Sequence, residues 1–280
     1  MQKHINTLIT DFDNTLFNWL ENWYQAFNEA LNYITDNIRD INQETLIKDI
    51  KTIHETHRTA EYINVFNDIA KLPKYSHYPN IQKLCNYATD LRKSRQKNIH
   101  LFDGVIETFE SLKENGVTIV IFTESEAYHT LSRIKTLKLD GIVDYVYAPP
   151  SKNHEIPSLS KTKFVQLQDS EHQKPNPKNL NKIIVELGID KENCCYLGDN
   201  PMKDIQMAKI ANVTDIYAKY GDIDRNTKEY QLLKAVTYWK DSLVKKEENI
   251  NTDKISPSYT LNTSIRELLK IFNIKEELHV

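Results

Sequence analysis

Apolar residues along this chain fall into two kinds of run. Short continuous runs end in polar or turn residues: Leu8 to Thr10, "VTIVIFT" (117–123), "VDYVYAP" (143–149) and "CCYLGD" (194–199), with "VTDIYA" (213–218) as a fifth. These read as buried strands. Between them the spacing becomes helical. "VIETFESLKENG" (105–116) and "NPKNLNKIIVELG" (176–188) each end in a glycine that caps a helix C-terminus. Strands alternating with helices predict an α/β fold, a Rossmann-like parallel sheet with helices on both faces. In such sheets ligands bind beyond the carboxyl ends of the strands.

Residues 18–100 break this alternation. "NWLENWYQAFNEALNYI" carries Trp19, Trp23, Phe27, Leu31 and Ile34 along one helical stripe, and three further helical segments follow, punctuated by Pro73 and Pro79. The expected organisation is a core of residues 1–16 and 102–280 with an all-helical cap domain, 17–101, inserted after the first strand. "LFDGV" (101–105) reads as the return hinge. His54 and His57 in "HETHR" lack the i, i+4 spacing of a zinc motif, and a solvated helix face is expected there. Farther on, "KKEEN" (245–249) reads as solvated surface or mobile loop. "SPSYTLNTSIRELLKIF" reads as a short strand, a cap at Asn262 or Thr263, and an amphipathic closing helix.

Composition narrows the class. The 280 residues carry a formal net charge of −3 and 40% hydrophobic content, which suits a globular protein and gives no reason to expect nucleic acid as a partner. Three cysteines, Cys85, Cys194 and Cys195, have no framework spacing and read as reduced core thiols. The N-terminus lacks the apolar stretch of a signal peptide, and no segment is apolar enough to span a bilayer. The expectation is a soluble, cytoplasmic protein without a membrane partner.

The candidate chemistry sits where strands end. In "DFDNT", Asp11 and Asp13 follow the first strand. Alone, the run reads more readily as a strand-ending turn, yet two carboxylates this close repel unless a cation lies between them. Thr123 ends the second strand and suits either an anion contact or a helix cap. Lys174 in "KPNP" is held by Pro175 and Pro177, where an isolated lysine is ordinarily a surface residue. In "GDNPMKD", Gly198 permits a tight exit, with Asp199 at the strand tip and Asp204 beyond; the run also reads as a turn and helix start.

In this order, the four motifs "DFDNT", "IFT", "KPNP" and "GDNPMKD" make the chain resemble the haloacid dehalogenase (HAD) superfamily, in its helical-cap subgroup and phosphatase (phosphoglycolate phosphatase-like) branch. Asn14 stands where glycine is more familiar, and Asp103 where proline is usual. The segment from Pro150 to Gln173 is longer than the resemblance suggests. The resemblance implies Asp11 as nucleophile, forming an aspartyl-phosphate, and Asp13 as general acid and then base. It implies that Thr123 and Lys174 bind the phosphoryl oxygens. Asp11, the backbone carbonyl of Asp13 and Asp199 would hold Mg²⁺, and Asp204 would orient the Asp199 loop or Lys174.

The function so implied is a Mg²⁺-dependent phosphatase for a small organic phosphate monoester, such as phosphoglycolate, a sugar phosphate or a nucleoside monophosphate. A phosphomutase of the same superfamily, a phospho-acceptor signalling domain and a binding protein on an inactive core are the alternatives.

Overall fold

The computed structural model describes residues 5–151, 154–167, 173–239 and 255–272. In chain order, β1 (Thr7–Thr10) is followed by α1 (Trp19–Asn37), α2 (Gln43–His57), α3 (Val65–Lys71), α4 (Ile81–Arg95) and α5 (Val105–Glu114). Next come β2 (Thr118–Phe122), α6 (Ala127–Thr136), β3 (Tyr145–Ala148), β4 (Lys163–Gln166), α7 (Lys178–Glu186) and β5 (Cys194–Gly198). The chain continues through α8 (Gln206–Ile210), β6 (Thr214–Ala218), α9 (Lys228–Val236), β7 (Tyr259–Leu261) and α10 (Leu268–Ile271).

The described residues divide into two compact units, one drawn from Met1–Asn18, Ile99–Asp222 and Asn251–Val280, the other from Trp19–Asn98 and Ile223–Ile250. The first holds a seven-stranded sheet in the order β4-β3-β2-β1-β5-β6-β7. Every pairing is parallel; β1 sits between β2 and β5, with Leu8 opposite Ile119 on one side and Cys195 on the other. Every residue of β1 and β5 is buried, as parallel strands covered on both faces require. On one face Ile9, Val120, Phe122 and Tyr196 pack with Leu180 and Ile183 of α7 and Met207 of α8. The alternate residues Leu8, Ile119 and Ile121 are buried as well, so the opposite face is also covered. Gly116 and Gly188 follow α5 and α7 in the left-handed conformation, φ 75° and 63°.

The 150–173 segment contains an element absent from the sequence reading, the edge strand β4. Its entry is fixed by Asp140, whose carboxylate accepts the N–H groups of Ser160, Lys161 and Thr162 at 2.7–2.9 Å. Those three bonds hold the half-buried Asp140 carboxyl at about 2, below the ordinary aspartate value. The closing helix is capped one residue later than expected. Ser264 is the cap, and the Glu267 carboxylate returns to the N–H groups of Thr263 and Ser264.

In the helical unit, α1 buries Trp23, Phe27, Leu31 and Ile34 against Leu46, Ile50, Phe66 and Cys85. Tyr230, Leu233 and Val236 of α9 belong to that same cluster, so the segment around 223–239 leaves the core to which the sequence reading assigned it. The "HETHR" expectation is corrected here too. His54 is fully buried rather than solvated, and its Nδ1–H donates to the Val236 carbonyl at 2.8 Å. The charge run at 245–249 lies outside the described residues. Among those residues, no helix is long and apolar enough to cross a membrane.

Candidate active site

The sheet's strand order places the candidate residues. The chain runs β1, β2, β3, β4 outward on one side, then returns to β5 on the other flank of β1. In open parallel sheets the ligand crevice lies at the carboxyl end where the order reverses. Asp11 follows β1 directly and stays in the ladder, its N–H donating to the Leu197 carbonyl at 2.8 Å. Thr123 follows β2, and Asp199 follows β5.

Lys174 is the hub. Its Nζ lies 2.6 Å from Asp11 Oδ1 and 2.9 Å from Asp204 Oδ1, and its side chain is 3% exposed. Its backbone N–H donates to Glu124 Oε1 at 2.7 Å, and a cis bond joins it to Pro175. The expectation of a constrained lysine is met by a buried one. Asp204 is held from behind: Tyr196 Oη donates to its Oδ1 at 3.0 Å and the Asn200 N–H to its Oδ2 at 3.1 Å. Asp199 is joined to the loop after β1 through Thr15, whose hydroxyl donates to Asp199 Oδ1 at 2.8 Å and accepts the Asp199 N–H at 3.1 Å.

One carboxylate oxygen from each of Asp11, Asp199 and Asp204 lies within 4.8 Å of the others. Asp204, expected to sit behind the cation ligands, therefore stands in the acidic group itself while bonding Lys174. The Asp13 side chain faces other partners. Ser125 donates its hydroxyl to Asp13 Oδ2, and Arg133 Nη1 lies 3.0 Å from Asp13 Oδ1. Thr123 is buried, and its hydroxyl oxygen accepts the Ser125 N–H at 3.1 Å. It does not cap α6, which begins after Glu126.

Burial governs the electrostatics. It pushes the Asp11 carboxyl up to about 7; Lys174 opposes the rise, and Asp204 and Asp13 add to it. Burial also raises Asp199 well above the aspartate value, with the Asp204 and Asp11 charges adding. For Lys174, burial acts to lower the ammonium, but Asp11 and Asp204 outweigh it and hold the group well above the lysine value. Tyr196 is raised by burial and by Asp204, so its phenol stays a donor. Three desolvated carboxylates facing one ammonium, with oxygen as the only donor atom, form a set suited to a hard divalent cation.

Sequence reasoning missed Thr15, Ser125, Arg133 and Tyr196. Thr15 stands in a quoted motif, but nothing in the sequence pairs it with Asp199. Arg133 lies in "LSRI", which carries no signal beyond its helical spacing.

A family model described as haloacid dehalogenase-like hydrolase matches residues 5–212. The chain belongs to the haloacid dehalogenase-like hydrolases. Among curated HAD relatives, the pyrophosphatase PpaX of Bacillus mycoides is 26% identical over 197 residues, covering 70% of this chain and 75% of its own length. The PpaX of Halalkalibacterium halodurans is 27% identical over 218 residues, covering 78% and 85%. Among solved structures, Bacillus subtilis YfnB, described as a HAD-hydrolase bound to magnesium, superposes with a TM-score of 0.54 at 17% identity, covering 97% of this chain and 100% of its own. A 2-haloacid dehalogenase from Pseudomonas syringae also reaches 0.54, at 12% identity with 96% and 98% covered. These two share the HAD fold with this chain.

Proposed function

We propose that this protein is a Mg²⁺-dependent phosphatase that hydrolyses a small phosphate compound through an aspartyl-phosphate on Asp11. The observation that carries the reading is the Asp11 carboxylate at the end of the central strand, 2.6 Å from a buried lysine and grouped with Asp199 and Asp204. Fold likeness alone does not choose the reaction, since a dehalogenase superposes as well as a magnesium-bound hydrolase. Asp13 favours phosphoryl transfer: a halide leaves without a proton, whereas an alkoxide needs one.

Asp11 Oδ attacks phosphorus and the bond to the leaving oxygen breaks. Asp13 gives that oxygen its proton, then accepts one from the water that cleaves the acyl-phosphate. Lys174 and Thr123 bind the phosphoryl oxygens. Asp11, the Asp13 carbonyl and Asp199 would hold Mg²⁺, with Asp204 orienting Lys174. Bound there, the ion would neutralise the carboxylates and phosphoryl oxygens and favour an anionic Asp11. The helical unit serves as the cap domain and selects the substrate. The likeness to PpaX favours inorganic pyrophosphate as a second candidate beside the organic monoesters.

Phosphate release from p-nitrophenyl phosphate, pyrophosphate and a panel of metabolite monophosphates tests this, with Mg²⁺ and with EDTA. Release is expected only with the metal, and Asp11→Asn is expected to abolish it. Substantial turnover by purified Asp11→Asn would overturn the nucleophile assignment.

A further inference from the structure

Arg133 lies in α6, ten positions beyond Thr123. Its Nη1 sits 3.0 Å from Asp13 Oδ1 and 3.5 Å from Ser125 Oγ, while the Ser125 hydroxyl donates to Asp13 Oδ2. The guanidinium carbon is 5.6 Å from the centroid of the Phe17 ring, and the Arg133 and Asp13 side chains are 13% and 18% exposed. Both oxygens of one carboxylate are thus engaged by donors from a single stretch of chain, the loop and helix that follow β2.

We propose that Arg133 is a positioning residue for Asp13: with Ser125 it fixes the plane of the carboxylate that moves the proton. The assignment rests on the phosphatase reading above. A general acid acts only within hydrogen-bond reach of the leaving oxygen, and small displacements cost heavily. Asp13 lies beyond the end of β1, where the sheet no longer fixes its side chain. Arg133 suits the task because it stays charged at any working pH and never competes for the proton.

The proton balance is complete. As the Asp11–phosphorus bond forms and the bond to the leaving oxygen breaks, the Asp13 proton goes to that oxygen. Asp13 is then the carboxylate that Arg133 and Ser125 both meet. It next takes a proton from the attacking water and is ready for another cycle. Stability alone is a weak reason for the pair, because partly buried ion pairs can commonly be replaced by apolar groups without loss.

Leaving-group dependence tests the proposal. The quantity is kcat/KM with Mg²⁺, which reports events through departure of the leaving group, for an alkyl phosphate and for dinitrophenyl phosphate. The alkoxide needs a proton and the dinitrophenolate does not. Arg133→Met is expected to lose on the order of tenfold to a hundredfold on the alkyl ester, with dinitrophenyl phosphate little affected. Arg133→Lys, which keeps a donor and the charge, is expected to recover much of the alkyl activity. An equal loss on both esters, or none on either, would overturn the proposal. Should the wild-type protein release phosphate from neither ester, nor from pyrophosphate or any metabolite monophosphate, or should Asp11→Asn hydrolyse both esters, the phosphatase reading itself falls and the Arg133 assignment with it.

Discussion

Gly198 lies within β5, outside the left-handed region, so its backbone does not call for glycine; space does. A Cβ built there would stand 2.3 Å from Asp204 Cγ and 2.6 Å from Asp204 Oδ2. The tight exit expected from the sequence is thus a tight approach, in which the bare backbone lets Asp204 reach Lys174. Gly198→Ala should push Asp204 aside and misplace the lysine, lowering phosphate release about tenfold to a hundredfold while the circular dichroism spectrum stays native. Unchanged kcat/KM in that variant would mean that Asp204 has slack the packing does not suggest. Asn14 shows a different kind of legibility. Its φ of 59° is the left-handed conformation, which explains why glycine is familiar at that position and asparagine is accepted. Asp11, Asp13, Lys174, Asp199 and Asp204 were readable because each stands beside a strand end or a proline. Arg133 and Ser125 were not, because they meet Asp13 across 120 and 112 residues, and only the folded sheet closes those distances.

At the scale of elements, the inner strands announce themselves and the edges do not. β1 and β5 are wholly buried and so are written in apolar residues; β4 is half-exposed, with Lys163 and Gln166 flanking Phe164 and Val165. An edge strand buries too little to leave a pattern of its own. The helix α9 was not read from the sequence, and periodicity could not have said which core receives its stripe. Tyr230, Leu233 and Val236 turn out to pack with Leu46, Ile50 and Phe66 of the helical unit. Leu233 is 2% exposed, and its truncation leaves a cavity where α9 meets that cluster. Leu233→Ala should therefore cost about 2–5 kcal/mol, seen as a lowered urea midpoint. A change smaller than about 0.5 kcal/mol would show that α9 is dispensable to the helical unit.

For the whole molecule, the two units should respond differently to acid. His54 is buried in the helical unit with its Nδ1–H on the Val236 carbonyl. Burial, with the Arg92 charge adding, depresses it from 6.5 to about 3. The unfolded chain thus takes up a proton near pH 6.5 that the folded unit refuses until near pH 3. Between those values the unfolded state binds more protons, and stability falls as pH falls. Above pH 6.5 neither state holds this proton, and the full stability is present. Inside the window, each pH unit lost should cost the helical unit up to about 1.4 kcal/mol. The Asp140 carboxylate that ties β4 into the sheet unit weakens only below the ordinary aspartate value near 3.8, so the sheet unit has no comparable loss from this group at pH 5. Limited proteolysis or hydrogen exchange at pH 5 against pH 7.5 should show residues 19–98 opening ahead of the sheet. Replacing His54 by glutamine should flatten that difference even if it lowers stability overall. Equal protection of both units at pH 5 would mean that the protonated imidazole finds a partner among the helices.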